Sequence, residues 1–209
     1  MRILILLRSS LLNRNGGAER QAHLIAKYFV GKGHDVRYVF ESNEESKVRN
    51  FEAVKYFNIA DYSRAFSFLN TFKIEQEIKL FRPDIIYQRC RSNYTFISAY
   101  LSRKYNLPFI LHLSADDESQ RNQLQVNSGF LSNLFNELLG RLGLPYSNKI
   151  ICQNNYQQNK IQEEFNYTNS KIIDNLVCLE RSDLKRFNNF TVSWVANFRD
   201  WKRPGKFIE

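Results

Sequence analysis

Short, wholly apolar runs alternate along the chain with longer segments whose apolar residues recur every three or four positions. Residues 3–7, Ile-Leu-Ile-Leu-Leu, form a continuous apolar run that reads as a strand buried on both faces. Residues 18–30 follow helical spacing, with Ala22, Ile25 and Phe29 on one face, and Gly31 and Gly33 stop them. Residues 36–40 and 54–59 read as the second and third strands, and 66–81 as a helix closed by Pro83. A strand at 84–87 and a helix at 94–105 follow, and Pro108 then leads into a strand at 109–113. Residues 131–142 carry Leu131, Leu134, Phe135, Leu138, Leu139 and Leu142 on a wide stripe, which predicts a helix packed on the core, with contact to a membrane surface as the alternative. A strand at 149–152, a helix capped by Asn154 and a short strand at 171–173 complete the series. Strand and helix alternating at this pitch predict an α/β fold with a Rossmann-like, doubly wound parallel sheet.

The pattern changes near residue 182. Residues 182–189 are polar and charged, as in a linker, and 190–196 form a new apolar run. A polar loop follows and reaches Pro204, a residue suited to the first turn of a helix. The expected organisation is a lobe over 1–181, a linker over 182–189, and the cut-off opening of a second α/β lobe over 190–209.

Composition narrows the partners. The 43% apolar content of a 209-residue chain is enough for a real core. The net charge of +9 favours anionic ligands, yet it is spread without like-charge blocks or aromatic–basic interleaving. That argues against nucleic acid and leaves phosphorylated small molecules or an anionic membrane surface. Cys90, Cys152 and Cys178 are odd in number and far apart, so they offer neither a metal spacing nor a disulfide framework. They read as buried free thiols in a reducing, cytoplasmic setting. The run at 3–7 is too short for a signal-peptide core, and no apolar segment approaches a membrane span. The Asn-x-Thr sequons at Asn93, Asn166 and Asn189 are attributed to chance in an asparagine-rich chain.

The chemistry begins at Gly16-Gly17-Ala18-Glu19-Arg20, a glycine turn that opens a helix directly after the first strand. Such a turn brings backbone amides close to a ligand and favours phosphate, although a plain tight strand-to-helix turn has the same sequence requirements. It lacks the third glycine of the dinucleotide fingerprint and the Gly-Lys-Ser/Thr of a Walker loop, which sets aside a nicotinamide-dependent sugar-nucleotide epimerase. The helix then runs into Gly33-His34-Asp35-Val36. With this order of motifs the sequence resembles glycosyltransferase family 4. Pro83-Asp84-Ile85-Ile86-Tyr87 and Lys149-Ile150-Ile151-Cys152-Gln153-Asn154 extend the resemblance. Ile173-Asp174-Asn175 is similar to the family's Pro-Asn-Gly turn, departing from it at Asp174 and Leu176. The stretch from Val195 to Lys202 looks like the loop that begins the family's second lobe.

The resemblance implies a GT-B enzyme with two Rossmann-like lobes. The first would take the acceptor, often lipid-linked or a polysaccharide, and the second a nucleotide-sugar. Transfer would proceed with retention, without metal and with no cofactor beyond the nucleotide-sugar itself. A bacterial polysaccharide role at the inner face of the membrane would fit. By resemblance Gly16 and Gly17 lie at the cleft near the donor phosphates, and Lys202 meets the departing diphosphate. Asn197 stands where the family often has arginine, with Arg199 as a substitute cation. The family's first-lobe histidine aligns with Ser114, while His112 lies two residues earlier on the same strand face. Asp116 follows at the strand's C-terminal end, so His112, Ser114 and Asp116 form the expected catalytic set, with a core or cleft-edge histidine and a simple loop start as the plainer readings of His112 and Asp116. Arg89, Arg91 and Asn154 are the expected acceptor contacts, with solvated loop arginines as the plainer reading of the first two. His23 reads as a surface or packing residue and His34 as part of a structural turn. A fragment ending at Glu209 would be inactive alone; the rival reading is a catalytically silent α/β binding domain or subunit.

Overall fold

The computed structural model describes residues 1–42, 48–60, 70–120 and 130–177, together with 189, 192, 205 and 206. Within Met1–Leu176, which forms one compact unit, eight strands make a single sheet. The strands are β1 (Arg2–Leu6), β2 (Asp35–Ser42), β3 (Val48–Phe51), β4 (Val54–Ala60), β5 (Ile85–Arg89), β6 (Phe109–His112), β7 (Lys149–Cys152) and β8 (Ser170–Ile172). The helices are α1 (Gly17–Gly31), α2 (Asn70–Phe81), α3 (Asn93–Lys104), α4 (Phe130–Gly143) and α5 (Asn155–Phe165). The spatial order is β3-β4-β2-β1-β5-β6-β7-β8, parallel throughout except for the β3–β4 pair. This is the expected α/β, doubly wound sheet.

Alternation along each strand divides the core. Leu4, Leu6, Val39, Ile86, Phe109, Leu111 and Ile150 meet α2, α3 and α5 on one face. Ile3, Ile5, Val36, Tyr38, Tyr56 and Tyr87 meet α1 on the other. Polar caps set the helix starts. Ser92 Oγ accepts from the Tyr94 amide at 3.2 Å and Thr95 Oγ1 from the Ser92 amide at 3.1 Å. Asn154 Oδ1 accepts from the Gln157 amide at 2.8 Å, which confirms its place as the cap of α5.

The sheet has one strand more than the hydrophobic pattern predicts. Residues 54–59 lie in the fourth strand, because β3 folds back on it through Glu52 and Ala53, both in the left-handed region (φ 45° and 66°). A two-residue hairpin needs such backbone, and here it is adopted without glycine. Glu52 ties the hairpin to α1 by accepting from Lys27 Nζ at 2.7 Å and contacting His23 Nε2 at 3.2 Å. His23 is buried, with its Nδ1 2.6 Å from Tyr56 Oη, so it is a packing residue. The expected helix over 66–81 is described from Asn70 onward.

The α4 stripe also divides differently. Leu134, Leu138 and Leu142 are exposed, while Gly140 and Gly143 lie against α3 on another side of the helix. A Cβ on Gly143 would fall within 2.5 Å of the Thr95 carbonyl oxygen. Gly140 and Gly143 therefore set how closely α3 and α4 approach. No described helix is long and apolar enough to cross a membrane. Val177–Glu209 forms a separate unit, and most of the expected linker, strand and loop over 182–204 lies outside the described residues.

Candidate functional site

The strand order fixes where a ligand can sit. The chain winds outward from β1 through β2 to β4, then returns to the other side of β1 with β5. The reversal opens a crevice at the C-terminal ends of β1 and β5, where doubly wound sheets bind ligands.

From β1 the chain enters this crevice through a loop ending at Gly16, the N-cap of α1. Gly16 is extended (φ −118°), a conformation open to any residue. A Cβ there would overlap the Glu19 carboxylate, which would have to move aside. Glu19 is itself 5% exposed and accepts from Ser9 Oγ. A carboxylate thus already occupies the positive end of α1, favourably for the helix and unfavourably for a second anion at that spot. Gly17 differs, since a Cβ there would meet nothing within 4 Å. Its open side is where a ligand can approach the backbone.

Across the switch point, β5 and β6 present Tyr87, Arg89 and His112 on the α1 face. Arg89 is 1% exposed, and its Nη1 lies 3.2 and 3.3 Å from the two ring nitrogens of His112. Its Nη2 donates to Asn175 Oδ1 at 2.6 Å. Its Nε is buried without a hydrogen-bond partner, and the guanidinium makes no ion pair among the described residues. Tyr87 Oη lies 2.7 Å from His112 Nδ1. Burial and then the adjacent Arg89 charge push the His112 pKa down to about 3, so the imidazole is neutral at physiological pH. Burial raises the Tyr87 phenol to about 12. Asn175 is held in place by its neighbour, because the Gln21 carboxamide both donates to Leu176 O at 2.7 Å and accepts from Leu176 N at 2.8 Å.

The loop after β6 is a second polar group. Buried Glu118 accepts from the amides of Arg91 (3.0 Å) and Ser114 (2.9 Å), and from Ser114 Oγ. Burial raises the Glu118 pKa despite these bonds. Cys90, left-handed at φ 68°, places its Sγ 3.0 Å from Ser114 Oγ, and burial pushes its thiol well up. Asp116 is exposed and accepts from Asn154 Nδ2 and Gln157 Nε2, each at 3.0 Å.

The expected site residues therefore fall into separate groups. Arg89 and His112 are in direct contact, and Asp116 is in contact with Asn154. Ser114 is engaged with Glu118. Arg91 engages its guanidinium in a buried pair with Glu137 of α4 at 2.8 Å, and its Nη2 also donates to Gln120 O at 2.8 Å. Asn197, Arg199 and Lys202 lie outside the described residues, as does Cys178. Cys90 and Cys152 are free thiols. Among the described residues, no three His, Cys, Asp or Glu side chains are grouped as metal ligands. Sequence reasoning missed Tyr87, Glu118 and the contact between Asn175 and Arg89. Alternation along 85–89 marks Tyr87 and Arg89 as sharing a face, and the Asn175 contact has no local signal.

Comparison with known proteins agrees with this fold. The sequence profile of Glycosyltransferase Family 4 matches residues 15–181. No curated protein matches. Among solved structures, the UDP-GlcNAc 2-epimerase of Methanocaldococcus jannaschii superposes with a TM-score of 0.58 at 14% identity, over 84% of this chain and 46% of that one. Anabaena HepE, solved with UDP and glucose, gives a TM-score of 0.58 at 17% identity, over 84% and 44%. Arabidopsis thaliana UGT89C1, solved with UDP, gives 0.50 at 10% identity, over 85% and 49%. At these identities the likeness is one of fold, and the chain spans less than half the length of each. With the profile covering most of its length, the chain belongs to Glycosyltransferase Family 4 and forms a Rossmann-like lobe of the GT-B kind.

Proposed function

We propose that this lobe is the acceptor side of a retaining glycosyltransferase, and that Arg89 is the cation that receives an anionic group in the crevice. The observation that carries the reading is the state of Arg89. A guanidinium that is 1% exposed, has no carboxylate partner among the described residues and keeps an unpaired Nε is costly to the fold. That cost is explained if the charge serves an anion, and the neutral His112 and Asn175 beside it do not supply one.

In the full-length enzyme a bond forms between an acceptor hydroxyl oxygen and the anomeric carbon of the sugar, and the bond from that carbon to the diphosphate oxygen breaks. The hydroxyl proton leaves with the diphosphate. Lys202, with Arg199 and Asn197, meets the charge that grows on the diphosphate, so no metal is required for it. Gly17 lets the backbone come close to the reacting groups. The acceptor is a carbohydrate or a lipid-linked saccharide in polysaccharide synthesis. The exposed Leu134, Leu138 and Leu142 of α4 and the net charge of +9 support peripheral contact with an anionic membrane surface from the cytoplasmic side.

Arg89→Met in the full-length enzyme tests this reading. Replacing an uncompensated buried charge with an apolar side chain of similar reach should leave the thermal midpoint unchanged or raise it. Turnover across a panel of nucleotide-sugars should fall on the order of 100-fold. Unchanged turnover in a folded variant would refute the role, and a collapsed midpoint would make Arg89 a structural residue.

A further inference from the structure

The β1–α1 loop contains two arginines that the proposed reaction does not use. Each rests its Nε on a buried carboxylate. Arg8 Nε donates to Glu41 Oε2 at 2.9 Å, and Arg14 Nε lies 3.8 Å from Glu19 Oε1. The carboxylate side chains are 3% and 7% exposed, whereas those of Arg8 and Arg14 are 32% and 70% exposed. Glu41 is fixed from behind, since its Oε1 accepts from Asn70 Nδ2 at 2.6 Å and from the Tyr94 hydroxyl. The loop is also tied to itself. The amides of Asn13 and Arg14 both donate to Ser10 O, at 3.1 and 2.9 Å. Ser10 N donates to Asn13 Oδ1 at 2.8 Å, and Asn13 Nδ2 donates to Glu41 O at 2.9 Å.

Guanidinium and carboxylate usually pair through two parallel bonds. Here Arg8 spends only Nε on Glu41, and among the described residues neither of its Nη groups makes a hydrogen bond. The guanidinium is held by its Nε edge just past the C-terminal end of β1, where the crevice opens, and the side chain is part-exposed. This preorganisation lowers the entropy lost when an oxyanion binds. Arg8 continues the Leu4–Leu6 alternation, which places it on the α2–α3 side of the sheet. Arg89 lies on the α1 side, so the two cations address different groups.

We infer that Arg8, buttressed by Glu41, binds a phosphoryl group of the acceptor. The inference rests on the acceptor-side reading of this lobe and adds that the acceptor is phosphorylated. The same oxyanion could belong to a soluble sugar phosphate or to the diphosphate head of a prenyl carrier.

The test is an NMR titration of the 209-residue chain, following the Arg8 Nε–H resonance and the loop amides. The probes are glucose 1-phosphate, geranyl diphosphate and glucose. Both phosphorylated probes should shift these signals and glucose should not; tighter binding of glucose 1-phosphate assigns a soluble acceptor, and tighter binding of geranyl diphosphate a lipid-linked one. Arg8→Gln should weaken binding ~10- to 100-fold, as expected for loss of charged hydrogen bonds. Because Arg8→Gln leaves Glu41 buried without its cation, the double variant Arg8→Gln/Glu41→Leu keeps the result interpretable by removing the pair together. Phosphate binding that persists unchanged in the folded double variant, or loop signals that ignore both phosphorylated probes, would overturn the inference. The readout uses neither donor nor turnover, so it can fail or succeed independently of the Arg89→Met test.

Discussion

Lowering the pH should destabilise the lobe through His112 in a way that can be isolated. In the unfolded chain its imidazole titrates near 6.5, whereas burial beside Arg89 brings it to about 3 in the folded lobe. Between these values the unfolded chain binds a proton that the folded one refuses. Stability is therefore complete above about pH 6.5 and is lost as pH falls, by about 1.4 kcal/mol per unit. The loss is about 2 kcal/mol at pH 5 and about 3 kcal/mol at pH 4, a large share of a typical domain's stability. The assay is urea unfolding followed by circular dichroism between pH 4 and 7.5, on the wild type and on His112→Gln. Glu118, raised by burial, has the opposite sign, losing stability as pH rises through its folded value. That dependence is common to both proteins and cancels in their difference. The wild type should lose stability more steeply than the variant below pH 6.5. Parallel curves would show that the folded lobe protonates His112 freely, which would remove the buried Arg89–His112 arrangement as drawn.

Two glycine substitutions separate packing from ligand approach. Gly143→Ala drives a methyl group into the α3 backbone at Thr95 and Phe96, and should cost about 3 kcal/mol in urea unfolding; a cost below about 1 kcal/mol would mean that α4 stands off from α3. Gly17→Val has open space around it and ordinary backbone, so the lobe's stability should change by less than about 1 kcal/mol while transfer by the full-length enzyme is lost. Near-normal turnover in folded Gly17→Val protein would remove the loop from the active site.

Periodicity carried most of the fold. The runs at 3–7, 36–40, 109–113 and 149–152 became strands to within a residue or two, because parallel strands buried on both faces leave an uninterrupted apolar signature. The hairpin at β3 left none, since Val48-Arg49-Asn50-Phe51 is half polar and its turn uses Glu52 and Ala53 instead of glycine. The outward Leu134, Leu138 and Leu142 were equally hidden, because a stripe shows amphipathicity without naming the side that packs. For the site, the sequence indicates Arg89 and His112 as residues at strand ends. Their burial and mutual contact come from the register pairing Arg89 with His112, and the Asn175 contact crosses 86 positions. Arg91 and Arg89, two residues apart, took opposite roles for a reason visible only in three dimensions, namely that Glu137 waits on α4 for one of them.

The two ends of the sheet bear on how the lobe behaves in a crowded solution. On one side lies β3, with four residues, and on the other β8, with three. Arg49 and Lys171 place a charge on each. A neighbouring copy that tried to extend the sheet would gain only a few backbone hydrogen bonds. Growth by strand addition, the usual route from a large parallel sheet to insoluble fibres, is thereby disfavoured at both ends. Among the described residues, the side chains of the helical layers and loops are left to meet other molecules.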